Sequence, residues 1–357
     1  MKNLLATAFV LMSLVSQAQK DSSSPISFSG LVDVYYAYDF NNPSNHQRPD
    51  FIYSYNRHND VAINLGLIKV AYAKDNVRAN LGLMAGTYAN ANLANEPGVL
   101  KNIYEANAGV KISKTKNLWV DAGIFSSHIG WESAIGKDCW TLTRSIGADN
   151  SPYYETGAKI SYTTNNGKWF LSGLLLNGWQ HIQRPDGYNT PAFGYQITYK
   201  PNDKVLLNNS SFFGSDTPDS VKQMRYYEDF YGQFQMSDKW ALTAGFDIGI
   251  QQKLKGSNSY NTWYTPVLIA KYAVNNKINV SARAEYYYDK NEVIIKTGTD
   301  NGFQTFGYSF NLDYNITNNV LWRVEYGMYN SKDKVFYANN ENVNNNTHII
   351  TALSVAL

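Results

Sequence analysis

Apolar and polar residues alternate with a period of two along most of the chain. Between Ile278 and Asp289 every even-numbered position is apolar or aromatic, and the odd-numbered positions include Ser281, Arg283 and Glu285. A β-strand projects successive side chains to opposite faces, so this segment has one apolar and one polar surface. The same alternation recurs at residues 28–38, 240–250 and 320–328. These segments are predicted to be strands with one face toward an apolar environment and the other toward water.

The connections between the alternating segments differ in length in a regular way. Seven short turns and eight longer polar stretches alternate strictly along the chain, and both chain ends lie on the side of the short turns. They imply about 16 strands, an even number typical of an all-β, closed antiparallel transmembrane β-barrel of the bacterial outer membrane. A soluble β-sandwich has no reason to place every long loop at one end. The short turns are Lys74–Asn76, Lys114–Asn117, Thr164–Lys168, Lys200–Lys204, Ser237–Lys239, Val274–Lys277 and Thr317–Asn319, and the long stretches are Phe40–His58, Asn90–Asn102, His128–Pro152, Gln180–Pro191, Ser215–Gln223, Gln252–Asn261, Asn291–Gly302 and Ser331–Asn346.

Strand length agrees with a membrane-spanning barrel, with two local exceptions. Strands of about eleven residues, tilted near 45°, rise by about 25 Å, which is the height of the apolar band. The segment from Asn59 to Lys74 changes phase near Leu67 and Ile68, and the segment from Trp169 to Leu176 is apolar on both faces. A β-bulge, or a strand that faces a packed loop, would explain either exception.

The first residues are typical of an export signal. Lys2 supplies a positive charge, residues 4–15 form an apolar run, and Ser16-Gln17-Ala18 is a small-x-small cleavage site. The run is too short for a transmembrane helix, which needs roughly 20 residues. We therefore expect residues 1–18 to be a signal peptide and residues 19–357 to form one barrel domain in the outer membrane, in contact with its lipid.

Composition narrows the function classes. Tyrosine is abundant (28 residues), charged residues make up only 17% of the chain, and the net charge is +2 without a basic tract, so we expect no nucleic-acid partner. Cys139 is the single cysteine and can form neither an internal disulfide nor a thiolate cluster. The histidines lack metal-ligand spacing, and we expect no metal and no cofactor.

The inner face of the predicted barrel is charged. A barrel of about 16 strands is wide enough to hold water. The charged residues occupy the alternate strand positions that point inward, because a charge on the outer face would contact lipid at a cost in free energy. This pattern predicts a water-filled channel for passive diffusion of small hydrophilic solutes and ions; the alternative is an interior in which the charges pair with each other. Acidic residues outnumber basic ones on this face, which favours the passage of cations over anions. The inward charges are Asp33, Arg78, Glu105, Lys111, Asp121, Glu155, Lys159, Asp229, Asp247, Arg283, Glu285, Asp313, Arg323 and Glu325.

The third long stretch, His128 to Pro152, is the candidate pore constriction. A loop of this length without evident secondary structure is more often functional than idle. Folded into the lumen, it would place Glu132 and Arg144 against the charged wall, where opposed charges orient solutes. The alternative is a solvated surface loop whose tryptophans pack on the rim. The candidate residues are Trp131, Glu132, Lys137, Asp138 and Arg144 of the loop, with Asp121, Glu155, Arg283, Glu285, Arg323 and Glu325 of the wall.

Several short motifs between Gly123 and Trp179 resemble the OmpL-like β-barrel porin family of Gram-negative bacteria. They are Phe125, the run Ile129-Gly130-Trp131-Glu132, Arg144-Ser145, Pro152, Thr156-Gly157 and Asn177-Gly178-Trp179. The resemblance implies a porin-type barrel, in which the family's Gly-x-Glu and Arg-Ser positions fall on Gly130, Glu132, Arg144 and Ser145. Porins commonly form trimers, so a homotrimer is one candidate assembly, and no sequence signature separates it from a monomer.

Two other functions are compatible with an outer-membrane barrel. Ser126 and His128 lie at the outer mouth of a strand, where a barrel hydrolase could place a nucleophile and its base. Sequence proximity is weak support for that reading, since the two side chains must meet in geometry, and we expect no enzyme activity. The Asn-, Tyr- and Gly-rich external loops are also compatible with a surface receptor or adhesin.

Overall fold

Sixteen antiparallel strands close into one barrel in the computed structural model, which describes residues 24–357. The expected signal peptide, residues 1–18, lies outside the described residues. The barrel strands are β1 (Ile26–Asp39), β2 (Val61–Lys74), β3 (Val77–Ala85), β4 (Ile103–Lys111), β5 (Asn117–Ser126), β6 (Tyr154–Thr163), β7 (Trp169–Leu176), β8 (Ala192–Asn202), β9 (Val205–Ser215), β10 (Met224–Gln235), β11 (Trp240–Gln252), β12 (Tyr260–Ala273), β13 (Ile278–Asp289), β14 (Phe303–Thr317), β15 (Val320–Ser331) and β18 (Asn345–Ala356).

The connections contain a few short elements. A hairpin of β16 (Phe336–Ala338) and β17 (Glu341–Val343) lies in the last long loop. Two short α-helices, α1 (Thr87–Asn92) and α2 (Ile146–Asp149), and two 3-10 turns at Gly98–Asn102 and Gly136–Asp138 lie in the second and third long loops. Among the described residues, no helix combines the length and apolarity that crossing a membrane requires.

The first and last strands close the barrel. β1 pairs with β18 from Leu31 opposite Ala356 to Asp39 opposite His348. Gly30 and Leu357 exchange both backbone hydrogen bonds, at 3.3 and 2.9 Å. No strand edge of the barrel is therefore left open, and the predicted 16-stranded closed barrel is confirmed.

All long loops leave one end of the barrel and all short turns leave the other, as the sequence predicts. The long loops are the external ones, and two of them fold into the lumen: loop 1 (residues 40–60) and loop 3 (residues 127–153). The alternating faces are also as predicted. On the outer face Ile68 and Phe310 are each 66% exposed, whereas inward neighbours such as Asp33 and Arg323 are buried.

The two irregular segments have different causes. In β2, Val34 of β1 faces Ile63 and Asp33 faces Leu65, so Asn64 is the extra residue of a bulge, three residues before the predicted phase change. β7 is regular, and its inward Leu174 and Leu176 belong to an apolar cluster with residues of loop 3. Its second apolar face is therefore explained by a packed loop.

The external half of the lumen contains a hydrophobic core. Phe51 and Ile52 of loop 1 and Ile146 of loop 3 pack with inward aromatic residues of the wall such as Trp263 and Tyr287. The inner face is thus not wet along its entire height, contrary to the expectation from strand parity. Since the loops fold inward, the aromatic ends of the inner face are covered by protein instead of water.

Candidate pore constriction

Loop 3 leaves the wall and returns to it at adjacent positions. The N–H of Ser127, just after β5, donates to the carbonyl of Tyr153, just before β6, at 3.0 Å. Between these residues the loop descends into the lumen, where its backbone and side chains contact inward residues of β10, β13, β14 and β15. Loop 3 therefore folds into the lumen and is not a solvated surface loop.

The two limbs of loop 3 are clamped together by the motif residues Glu132, Arg144 and Ser145. The Glu132 carboxylate accepts from the Ser145 N–H at 3.1 Å and from the Ser145 hydroxyl. The Arg144 guanidinium donates to the carbonyls of Ser133 (2.6 Å), Leu142 (2.8 Å) and Ala134 (3.2 Å). Glu132 and Arg144 thus hold the shape of the loop, and neither faces the wall charges across open water.

Three charged wall residues anchor the returning limb of loop 3. Glu325 accepts from the Thr143 N–H at 2.9 Å, and Glu285 accepts from the Ile146 N–H. Arg283 lies between the two carboxylates, 3.0 Å from Glu285 and 3.6 Å from Glu325, and donates to the Thr143 carbonyl at 2.7 Å. These side chains are buried, and the two carboxylates share one guanidinium while they also accept from the loop backbone, so the three groups fix the loop.

Arg323 anchors the lowest part of loop 3. Its guanidinium donates to the carbonyls of Gly136 (2.7 Å) and Cys139 (3.0 Å). The remaining donors form a bidentate pair with Asp313, at 2.7 and 2.9 Å. Paired, planar recognition of this kind holds a backbone in one place more tightly than a single hydrogen bond does.

The descending limb is held against a neighbouring part of the wall, at β10 and β11. The Gly130 N–H donates to Asp229 at 3.1 Å, and the φ angle of Gly130 is 80°, a conformation that favours glycine. The six-membered ring of the next residue, Trp131, lies against Gly245 of β11, where an added Cβ would come 2.2 Å from the ring. The glycine in the wall therefore provides the space that the indole occupies.

Loop 1 closes over loop 3 from the outside. The Ser54 hydroxyl and the Tyr53 N–H donate to Asp149 of loop 3 at 3.0 and 3.3 Å, and loop 1 is itself tied to the wall because the Tyr55 hydroxyl donates to Asp33 at 2.7 Å. The sequence signal for this second inward loop is the apolar run Phe51-Ile52-Tyr53, which sequence reasoning missed. Burial raises the pKa of Asp149 to about 6, against the opposing effects of Arg144 and of the hydrogen bonds from loop 1.

The Asp149 contact is expected to make channel closure depend on pH. Because the docked state holds the proton more tightly than the undocked state, docking is strongest below the ordinary pKa of 3.8 and weakens as pH rises through about 6. Current fluctuations should therefore be more frequent at about pH 7.5 than at about pH 5 in single-channel recordings, and Asp149→Asn should remove the difference. Asp50→Asn, at an exposed carboxylate of loop 1, should keep it; a wild-type response in Asp149→Asn would contradict the assignment.

The wall from β2 to β6 remains open to water toward the short turns. Lys69 pairs with Glu105, and Arg78 pairs with Asp121, with the cation the more exposed partner in each pair. Lys111 and Lys159 lie on the same inner surface and are only half-buried. The charges that face water here are therefore basic.

A cavity of about 180 Å³ lies beside loop 3 on this open side. It is lined by Tyr104 of β4, Ser126 of β5 and residues 129–134 and 151–153 of loop 3. Asp138, at the end of the 3-10 turn, is exposed, and Lys137 beside it is half-buried. They are the loop charges that water reaches.

The predicted site residues thus separate into two groups. Loop 3 meets Arg283, Glu285, Arg323 and Glu325 directly, whereas Asp121 and Glu155 lie on the β5–β6 side of the wall and are also buried. Sequence reasoning identified Ser145 as a motif residue but missed Thr143, the partner of Glu325 and Arg283, because a short hydroxyl side chain gives no pattern along a chain. It also missed Lys69 and Lys271 on the inner face.

The geometry gives no support to the serine–histidine alternative. The His128 ring is buried, and its Nε2 lies 2.8 Å from the Ser211 carbonyl oxygen. Burial lowers the pKa of His128 to about 4. No group of three or more potential metal ligands occurs among residues 24–357.

Comparisons with known proteins agree with the fold. The model of the family described as "Putative beta-barrel porin-2, OmpL-like" matches residues 25–357. A search of curated proteins finds no match.

Three of the similar solved structures are outer-membrane channels or proteins. The anion-selective porin from Comamonas acidovorans is 12% identical with a TM-score of 0.61, and the alignment covers 93% of this chain and 99% of that one. The trimer form of OmpT from Vibrio cholerae is 10% identical (TM-score 0.60, coverage 93% and 99%). The channel DcaP of Acinetobacter baumannii is 11% identical (TM-score 0.59, coverage 95% and 99%). At these identities the likeness establishes the fold alone.

Proposed function

Because the chain belongs to the OmpL-like β-barrel porin-2 family of the outer membrane, we propose that it is a narrow porin in which loop 3 confines diffusion to one side of the lumen. The observation that carries the proposal is the one-sided anchoring of loop 3. Its hydrogen bonds to the wall fall on β9, β10 and β13 to β15, and Trp131 packs against β11. The inner faces of β3 to β6 keep half-buried polar residues such as Asn80 and Asn107.

The route runs from the external cavity beside loop 3 to the water-filled end of the barrel. Tyr104 and Ser126 line its outer part, and Asn107 and Lys159 lie further down the same wall. Lys137 and Asp138 approach it from the loop, so polar and charged groups lie on both sides. Small hydrophilic solutes and ions fit such a lining, because it replaces part of their hydration shell.

We also propose that the protein is exported and that its mature part is one domain. Residues 1–18 direct export, residues 19–357 are the mature single-domain barrel, and transport is passive, without catalysis or a cofactor. The family match supports one domain, since a single family model spans residues 25–357.

Assembly as a homotrimer is also proposed. Glu228 of β10 is the only carboxylate on the outer barrel face among the described residues, and it accepts from Tyr195 of β8 and Asn209 of β9 at 3.0 and 2.9 Å. A charged group facing lipid is costly, and a subunit contact over β8 to β10 would shield it. The trimer form of the similarly folded Vibrio protein agrees with this assembly.

Planar-bilayer recording of the purified protein tests the proposal. We expect steady ion conductance, arriving in groups of three equal steps if each insertion is a trimer. Asn107→Trp should lower the conductance by about half, because the ring would project into the narrow route. Ala108→Trp, which adds the same ring to the outer face of β4, should leave it unchanged. A folded protein without conductance would remove the porin assignment, and equal conductance in the two variants would place the route elsewhere.

A further inference from the structure

Charge is distributed unequally between the two ends of the barrel. The eight external loops are balanced, with thirteen basic and thirteen acidic residues in segments 40–60, 86–102, 127–153, 177–191, 216–223, 253–259, 290–302 and 332–344. The seven short turns carry eight lysines, namely Lys74, Lys114, Lys116, Lys168, Lys200, Lys204, Lys239 and Lys277, and only three acidic residues, Asp75, Asp203 and Asp238. The periplasmic end is therefore strongly positive.

The charges that face water on the wall from β2 to β6 have the same sign, and on loop 3 the exposed Asp138 is offset by Lys137 beside it. Lys69, Arg78, Lys111 and Lys159 are partly exposed, while Glu105 and Asp121 are buried beneath their cationic partners and Glu155 is buried as well. The acidic majority counted along the inner strands belongs largely to residues covered by loops 1 and 3, such as Asp33 and Glu325. Burial thus reverses the charge balance that a solute meets.

A cavity of about 510 Å³ lies at the periplasmic end, directly below the lowest point of loop 3. Trp140 of loop 3 forms its inner limit, inward Gln233 of β10 and Ala241 of β11 contribute to its wall, and Lys168, Lys200 and Lys204 line its rim beside a single carboxylate, Asp203. Lys271 of β12 lies on the other side of the tryptophan, with its Nζ 5.4 Å from the ring centroid. We call this cavity the lysine vestibule.

We propose that the lysine vestibule binds small multivalent organic anions, and that the channel favours anions over cations; this rests on the proposed porin function and names its substrate class. The reason is electrostatic focusing. Three flexible ammonium groups around a cavity with low-dielectric walls raise the local concentration of anions, by at least about tenfold. The opposite rim offers no comparable excess of charge, so binding is confined to one side.

A soluble anion is favoured over a lipid headgroup as the occupant. Gln233 and Ala241 occupy inward-facing positions of their strands, so the cavity opens into the lumen as well as between the turns. A headgroup held by the rim lysines from the outside would not reach Trp140. Bilayers made only of neutral lipid remove the headgroup as a source of anionic charge.

The test uses citrate as the anionic probe and spermidine as the cationic counterpart, in neutral bilayers. We expect a zero-current potential of the anion-selective sign in a salt gradient. Citrate should reduce the current at lower concentration from the periplasmic side than from the external side, and spermidine should have no such effect. The triple variant Lys168→Gln, Lys200→Gln, Lys204→Gln should raise the half-blocking citrate concentration by about tenfold.

The matched control removes the same charge from the other end. Lys253→Gln, Lys290→Gln and Lys332→Gln, at exposed positions of three external loops, should leave citrate block unchanged. Cation selectivity, block of equal strength from both sides, or equal effects of the two triple variants would overturn the proposal. If the folded protein does not conduct, the porin function fails separately. Calorimetric titration of the detergent-solubilised protein with citrate then still decides whether the vestibule binds anions.

Discussion

Replacing residues 130–150 by a glycine-serine linker of about four residues is expected to raise the single-channel conductance about threefold or more, because loop 3 occupies much of the lumen. The linker is geometrically feasible, since the Ser127 N–H and the Tyr153 carbonyl are already hydrogen-bonded at 3.0 Å. The barrel itself should persist, because all sixteen strands and their ladder are untouched. Arg283, Glu285 and Glu325 of the wall would face water after the loop is removed, so their charges would be hydrated and not buried without partners.

A matched replacement in another external loop separates the removal of loop 3 from a general effect of loop engineering. Residues 254–258 lie in the short, largely exposed loop between β11 and β12, and a glycine-serine replacement there should leave conductance unchanged. Conductance should be compared with folding, followed by the heat-modifiable mobility of the barrel on gels. A folded loop 3 replacement with wild-type conductance would mean that loop 3 does not limit the current.

Arg323→Met is expected to cost about 3–5 kcal/mol of the free energy of unfolding, the range for breaking a buried ion pair by removing one partner. The substitution leaves Asp313 without its bidentate partner and frees the Gly136 and Cys139 carbonyls of loop 3. Denaturant titration should show a lower midpoint, and single-channel recordings should show larger fluctuations because the lowest part of the loop is released.

The double variant Arg323→Met, Asp313→Leu separates these two consequences. Replacing both partners by apolar side chains removes the uncompensated charge, so most of the lost free energy of unfolding should return. The current fluctuations should persist, because the anchor on Gly136 and Cys139 is still absent. Recovery of quiet currents in the double variant would show that Arg323 acts through barrel stability and not by holding loop 3.

Much of the fold was predictable because its causes are local. Alternation along segments such as Ile278 to Asp289 depends only on the period of a strand and on lipid outside the barrel, and both act on every residue of the segment. The strict sequence of short turns and long loops then determines the number of strands and the end that each loop occupies. Even the exceptions at β2 and β7 could be located, although the bulge lies at Asn64, three residues before the predicted change of phase.

The candidate site was predictable in part. The composition and length of the segment from His128 to Pro152 indicate a functional loop, and Glu132 and Arg144 are central to it. Their partners are not those expected, because Glu132 binds Ser145 and Arg144 binds backbone carbonyls. Backbone groups are present at every position and leave no mark in a sequence, so a side chain that binds them cannot be distinguished in advance from one that faces water.

The sequence by itself determined the closed barrel, its strand number and the greater share of basic residues at the short turns, since each follows from local order along the chain. Only the tertiary structure decided which inward charges meet water. Glu325 and Lys69 both occupy inward-facing strand positions, yet Glu325 is buried under loop 3 and Lys69 faces the open lumen. The difference arises from the inward path of two loops, which depends on contacts between residues as distant in the chain as Thr143 and Glu325.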